Sequence, residues 1–227
     1  MTRVAITTNI DRYAEPAAEL ERVGLEPVRL PCIEIKEVPG AADRARAASA
    51  YVDLVVITSS RSLELVWGSG PLPSVQFAAV GPATAAAIDR RGGRVGTIGE
   101  GGALLLAQRL AGEVATRRVL YLHAHGSDQA AMRLLENRAA GFSAVEVYRS
   151  VPVGPAADPV EAVIFASLSA VEGWLSARSL AGVVVGAIGA TTSAGLKRHG
   201  RRPDVLAPAP SFTALVDALA AFLEEAT

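Results

Sequence analysis

Val80-Gly81-Pro82-Ala83-Thr84 follows the apolar run Phe77-Ala78-Ala79 and leads into an alanine-rich stretch that stops at Gly92-Gly93. An apolar run, then glycine and proline, then a stretch of good helix formers predicts a strand, a tight turn and the first turn of a helix. The same arrangement returns 108 positions later, as Val184-Val185-Gly186-Ala187-Ile188-Gly189-Ala190-Thr191-Thr192. A second pair keeps that offset: Val56-Ile57-Thr58-Ser59-Ser60-Arg61-Ser62-Leu63-Glu64 matches Ile164-Phe165-Ala166-Ser167-Leu168-Ser169-Ala170-Val171-Glu172. A third pair is looser. Residues 3–31 and 118–152 each read as strand, helix, glycine, strand, proline. A fixed internal period marks a duplicated structural unit, so the chain reads A-B-C-A′-B′-C′.

Between these blocks, short β-branched runs alternate with amphipathic helical segments along the whole chain. That alternation predicts α/β architecture with parallel sheets covered by helices on both faces. Two domains of one fold can arise in two ways: A-B-C and A′-B′-C′ fold separately, or A joins B′-C′ while B-C-A′ forms a middle domain. Cys32 to Val38 and Val145 to Val151 alternate apolar and polar residues, as half-exposed strands do. Each lies where the second scheme needs the chain to cross between domains. The expectation is a discontinuous domain of residues 1–31 and 153–227, a middle domain of residues 39–144, and linker strands at 32–38 and 145–152 pairing as a two-stranded ladder. Ordinary edge strands are the alternative for these two segments.

Composition narrows the function classes. The 227 residues are half hydrophobic and carry a formal net charge of −1, which argues against nucleic acid or an anionic membrane as partner. No run of 18 apolar residues occurs, and the first residues show no signal-peptide pattern. Cys32 is the one cysteine, so no internal disulfide can form. Together these predict a cytoplasmic protein, and nothing in the sequence demands more than a monomer.

Four strand-to-helix turns carry the residues suited to a ligand: Thr58, Ser59 and Ser60; Gly81 and Thr84; Ser167 and Ser169; Gly189, Thr191 and Thr192. In a parallel sheet such turns sit at the carboxyl ends of the strands, where ligands bind, and helix N-termini favour anions. Each hydroxyl taken singly reads as a helix cap, with Thr84 and Thr192 the expected caps of their helices. Taken as a set facing one cleft, the turns suit a polycarboxylate. His123 and His125 lack a third metal ligand at recognisable spacing. Gly99-Glu100-Gly101-Gly102 lacks the Lys-Ser/Thr of a phosphate loop. Cys32 has no basic partner nearby in sequence and is expected to be structural.

VVITSSRSLELV, AAVGPATAAAI, VEVYRSVP, AVIFASLSAVEGW and AIGATTSAGLKRHGRRPDVLAPAPSFTALVDAL, in this order and spacing, resemble the uroporphyrinogen-III synthase family over nearly the whole chain. The resemblance implies two flavodoxin-like domains joined by a two-stranded ladder. It also implies a cofactor-free lyase that closes hydroxymethylbilane into uroporphyrinogen III, inverting the last pyrrole ring through a spiro intermediate. The family pattern places a tyrosine in the second linker, which makes Tyr148 the expected proton donor. Three departures stand out: Thr7-Thr8-Asn9 where the family usually has Thr-Arg-Pro, His123-Ala124-His125-Gly126-Ser127 in place of a basic glycine-rich turn, and Ser167-Leu168-Ser169 in place of Ser-Pro-Ser. They leave a second reading open, a diverged member that binds an anionic ligand without this activity or with another substrate.

Overall fold

Strands such as Leu54-Val55-Val56-Ile57 are apolar at every position, which only a sheet covered on both faces can accommodate. In the computed structural model, which describes residues 1–225, such strands build two sheets. In chain order the elements are β1 (Arg3–Ile6), a 3-10 turn (Ile10–Arg12), α1 (Ala14–Arg22), β2 (Glu26–Arg29), β3 (Ile33–Glu37), α2 (Ala41–Ser49), β4 (Leu54–Ile57), α3 (Ser60–Trp67), β5 (Gln76–Ala79) and α4 (Pro82–Asp89). They continue with β6 (Arg94–Ile98), α5 (Ala103–Leu110), β7 (Arg118–Ala124), α6 (Gln129–Glu136), β8 (Gly141–Pro152), β9 (Ala162–Phe165), α7 (Leu168–Leu175), β10 (Val184–Ala187), α8 (Ala190–Arg198), β11 (Val205–Leu206) and α9 (Phe212–Glu225). The chain divides into two compact units: Met1–Ile35 with the stretch from Ser150 onward, and Lys36–Arg149.

The first unit holds a parallel sheet in the order β11-β10-β9-β1-β2. Side chains alternate across a strand, and the alternation sorts them into two cores. Val4, Ile6, Ala162 and Ile164 pack with Leu20 of α1 and with Leu215, Val216 and Leu219 of α9. Ala5, Val163 and Phe165 face the other way, onto Val171 and Trp174 of α7 and Leu196 of α8. Phe165 meets Trp174 edge to face, with ring centroids 6.0 Å apart.

In the middle unit the order is β3-β8-β7-β4-β5-β6. Leu54, Val56, Val119 and Tyr121 pack with Leu106 and Leu110 of α5 and Met132 and Leu135 of α6. Strand β8 is one continuous twelve-residue element with two partners. It runs parallel to β7 from Gly141 to Tyr148 and neighbours β3 on its other edge. Val38 N donates to Val147 O at 2.9 Å and Val153 N donates to Cys32 O at 3.0 Å, which sets β3 and β8 antiparallel.

Ordered along the chain within its own unit, the first sheet reads 2-1-3-4-5, the flavodoxin arrangement. The middle sheet, leaving out β3, holds its strands in the same spatial sequence, but there the last two strands of the unit, β7 and β8, take the places that β1 and β2 fill in the first. The middle unit is therefore a circular permutation of the first. The sequence repeat carries over to the elements: β4 and β9, and β5 and β10, begin 108 residues apart.

Candidate functional site

An open α/β sheet binds ligands where connections from neighbouring strands diverge, at the carboxyl ends of those strands. In the first unit that point lies between β1 and β9. In the middle unit it lies between β4 and β7.

Threonines bridge both points. Thr7 Oγ1 donates to Ile164 O at 2.7 Å, from β1 to β9, and Thr58 Oγ1 donates to Leu122 O at 3.1 Å, from β4 to β7. Thr58, expected to face a ligand, thus spends its proton on the neighbouring strand. Thr8 follows Thr7, and its hydroxyl is buried with no hydrogen-bond partner among the described residues. Asn9 Nδ2 donates to Asp11 Oδ2 at 3.0 Å. In sequence, Thr7-Thr8-Asn9 stands out only as a departure from a pattern. The signal available in the sequence is three polar residues directly after an apolar run; in the structure all three are buried.

The four strand-to-helix turns fall into two matched pairs. Ser59 and Ser167 have nearly the same extended backbone, φ −160° and −159°, and each caps the next helix: Ser59 Oγ accepts from Arg61 N and Ser167 Oγ accepts from Ala170 N, both at 3.2 Å. Ser60 and Ser169, read as possible caps, lie within the first turns of α3 and α7 instead. Gly81 and Gly189 form the second pair, with φ −168° and −176°.

Here the expectation for Thr84 and Thr192 is corrected. The caps of α4 and α8 are Gly81 and Gly189, with no side-chain cap bond. The glycine carbonyls already accept from Ala85 N and Ser193 N, both at 3.0 Å, so the helices start directly after the glycines. Thr84 and Thr192 fall third in their helices with buried side chains. Thr191, one residue earlier, is exposed.

Neither glycine is required by its backbone angles. A Cβ on Gly189 would meet nothing within 4 Å, and one on Gly81 would only reach Gly99 O at 4.0 Å. These positions leave the first-turn amides open to approach from outside. Proline at the start of α4 removes one amide there, so α8 offers the fuller set.

Tyr148 lies on β8 beside Ala124 and is 8% exposed. Its carbonyl accepts from His125 N at 2.8 Å. His125 Nδ1 contacts Glu146 Oε2 at 2.9 Å, and Arg149 Nε donates to Glu146 Oε1 at 2.6 Å. The hydrogen bond from His125, joined by that from Arg149, holds the Glu146 carboxyl below its usual range. His123 Nδ1 turns instead to Ala124 O at 2.9 Å. Among the described residues no three His, Cys, Asp or Glu side chains are grouped to share a metal ion. Gly99-Glu100-Gly101-Gly102 is a turn from β6 to α5. Burial pushes the Cys32 thiol up to about 12.

A hollow of about 360 Å³ adjoins the end of β1, lined by Asn9, Ile10, Pro31, Ile33 and Val153 among others. A larger one, about 410 Å³, lies by Leu180, His199 and Arg201. It sits at the amino edge of the same sheet, past the end of α8, away from the strand ends where a ligand belongs.

The architecture defines a duplicated α/β protein with glycine-started helices at the carboxyl ends of its strands. The family profile described as uroporphyrinogen-III synthase HemD matches residues 14–217. The chain therefore belongs to the uroporphyrinogen-III synthase family, enzymes of tetrapyrrole biosynthesis acting on a small-molecule substrate. Among solved structures, uroporphyrinogen-III synthetase from Helicobacter pylori shares the fold with a TM-score of 0.69 at 18% identity, covering 98% of this chain and 99% of that one. A mutant uroporphyrinogen III synthase from the extreme thermophile Thermus thermophilus does so with a TM-score of 0.62 at 18% identity, covering 99% and 100%. No curated protein matches the chain. Among the described residues no helix is long and apolar enough to cross a membrane.

Proposed function

We propose that this chain is a hydro-lyase that binds hydroxymethylbilane through its carboxylates and closes it to uroporphyrinogen III, acting as a cytoplasmic monomer without a cofactor. The substrate carries eight carboxylates, and the observation behind the reading is the twin set of open helix starts at Gly81 and Gly189. First-turn amides of α8 from Ala190, Thr191 and Thr192, and of α4 from Ala83 and Thr84, are donors with no intrahelical partner. They suit carboxylate oxygens, helped by the helix dipole. Ser59, Ser60, Ser167 and Ser169 flank the equivalent starts of α3 and α7.

The chemistry then needs shape and one proton. Cleavage of the C–O bond of the hydroxymethyl group releases hydroxide and leaves a delocalised cation on the chain. A proton from the Tyr148 hydroxyl turns the departing hydroxide into water. Attack by the substituted carbon of the last ring gives the spiro intermediate. The old bond from that carbon to the neighbouring methylene then breaks, and the methylene rejoins at the ring's free carbon, which inverts the ring. The proton lost from that free carbon restores the Tyr148 hydroxyl. Closing at the substituted carbon rather than the free one demands that the bilane be held curled, which is a positional effect.

Gly189→Val tests the binding half. Valine fits the extended φ and meets open space, so the protein is expected to keep its thermal midpoint. The KM for hydroxymethylbilane is expected to rise about tenfold, the loss of one charge-assisted bond of about 1.5 kcal/mol. An unchanged KM means that the α8 amides do not hold the substrate.

A further inference from the structure

Strand β8 changes register beside β7 at one place. His123 stands opposite Glu146, but Ala124 stands opposite Tyr148, so Val147 is an extra residue. Bulges are rare between parallel strands, and they re-aim side chains. In an unbroken strand Glu146 and Tyr148 would share a face. With Val147 inserted, Tyr148 stands in register with Ala124 instead. The burial pattern agrees: Val145, Val147 and Tyr148 are 9%, 2% and 8% exposed, whereas the Glu146 side chain is 26% exposed.

Two side-chain contacts of one carboxylate span the bulge. Glu146 precedes the inserted residue and Arg149 follows Tyr148, and one carboxylate binds both Arg149 Nε at 2.6 Å and His125 Nδ1 at 2.9 Å. From the β7 side, His125 also donates its backbone N–H to Tyr148 O. Tyr148 is thus held through its backbone: its carbonyl accepts from His125 N, and the Glu146 carboxylate ties His125 to Arg149, the next residue along the chain.

We propose that the Glu146 carboxylate, bridging His125 and Arg149 across the bulge at Val147, is a positioning device that fixes the direction of the Tyr148 hydroxyl. The proposal rests on the reading of Tyr148 as proton donor. It gives a use to His125, which stands where the family's basic glycine-rich turn would be: in this chain the turn steers the tyrosine from behind.

Three variants and one spectroscopic readout test it. The chain has four tyrosines, Tyr13, Tyr51, Tyr121 and Tyr148, so 3-fluorotyrosine labelling gives a small set of fluorine resonances that single Tyr→Phe variants assign. Glu146→Ala is expected to shift or broaden the Tyr148 resonance and to lower kcat by about tenfold with little change in KM, short of the hundredfold that a 1 Å misplacement can cost. Asp53→Ala, which breaks an exposed pair with Arg118 at the amino ends of β4 and β7, is expected to leave both readouts at wild type. Tyr148→Phe sets the reference loss. If Tyr148→Phe is impaired while Glu146→Ala keeps the wild-type kcat or an unmoved resonance, the positioning role is overturned and the donor reading stands. If Tyr148→Phe turns over like wild type, the donor reading falls, and the purpose assigned to the network falls with it.

Discussion

Gly173 lies inside α7, and a Cβ there would stand 2.2 Å from Cys32 O and 2.7 Å from Val153 O. Those two residues are themselves joined, Val153 N donating to Cys32 O at 3.0 Å, where the chain enters β3 and leaves β8. A carbon–oxygen contact is comfortable at about 3.3–3.6 Å, so Gly173→Ala must part helix and strands by roughly 1 Å. Both clashing atoms are backbone and cannot rotate away. Overpacking of this kind costs about 1–3 kcal/mol, and loosening the Val153–Cys32 bond costs about 1 kcal/mol more. Alanine's better helix propensity returns about 1 kcal/mol. The net is a loss of about 2 kcal/mol, or a thermal midpoint lower by about 4–8 °C for a chain of this size. Gly195 in α8 is the control. Its Cβ would meet Leu168 Cδ1 at 2.6 Å, the tip of a side chain that can turn aside, so Gly195→Ala is expected within about 2 °C of wild type. Trp67 and Trp174 are the two tryptophans, one in each unit. In a Trp67→Phe background, fluorescence melting follows the first unit alone. A Gly173→Ala midpoint at or above wild type, or a Gly195→Ala fall as large as that of Gly173→Ala, refutes the reasoning.

Tyr121 is 1% exposed and its hydroxyl is buried without a partner among the described residues. Tyr121→Phe removes that orphan and is expected to raise stability by about 1 kcal/mol, read as a higher urea midpoint at an unchanged slope. Burial, with Asp128 adding to it, pushes the same phenol up to about 12 from an ordinary 10.0. The folded value is the higher one, so the associated stability is complete below about pH 10 and is lost between about pH 10 and 12. The variant should flatten that alkaline limb. Cys32, buried and raised from 9.0 to about 12, should resist thiol reagents in the native protein at about pH 8 and react fully in denaturant. Fast native labelling would contradict its burial.

Much of this fold is legible because duplication writes it twice. The strands at Leu54 and Ala162, and the glycine turns at Gly81 and Gly189, announce one another at a constant offset. Strand order is another matter. The block order A-B-C-A′-B′-C′ and the two alternating segments point to a middle domain B-C-A′, which is the permuted order. Which neighbour β7 takes within it depends on contacts far apart in sequence and is written in no local pattern. The caps show a subtler limit. Thr84 and Thr192 have the chemistry of caps, but Gly81 and Gly189 are already extended and their carbonyls accept the first helical bonds, which carries the threonines inward by a turn. Likewise Val145, Val147 and Tyr148 look like plain alternation that ends one residue late. Only the ladder to β7 reveals that Val147 is an insertion and that Tyr148 has changed sides. Thr7-Thr8-Asn9 passes in sequence as a divergent motif because the importance of its place comes from topology, namely the point where β1 and β9 part.

The isomer produced tests the proposed activity most directly. Hydroxymethylbilane generated enzymatically closes by itself to the type I ring. Added to the purified chain and oxidised for separation, it should give predominantly the type III isomer, at a rate that Tyr148→Phe lowers. Type I product alone, indistinguishable from the protein-free control, would contradict the proposed activity.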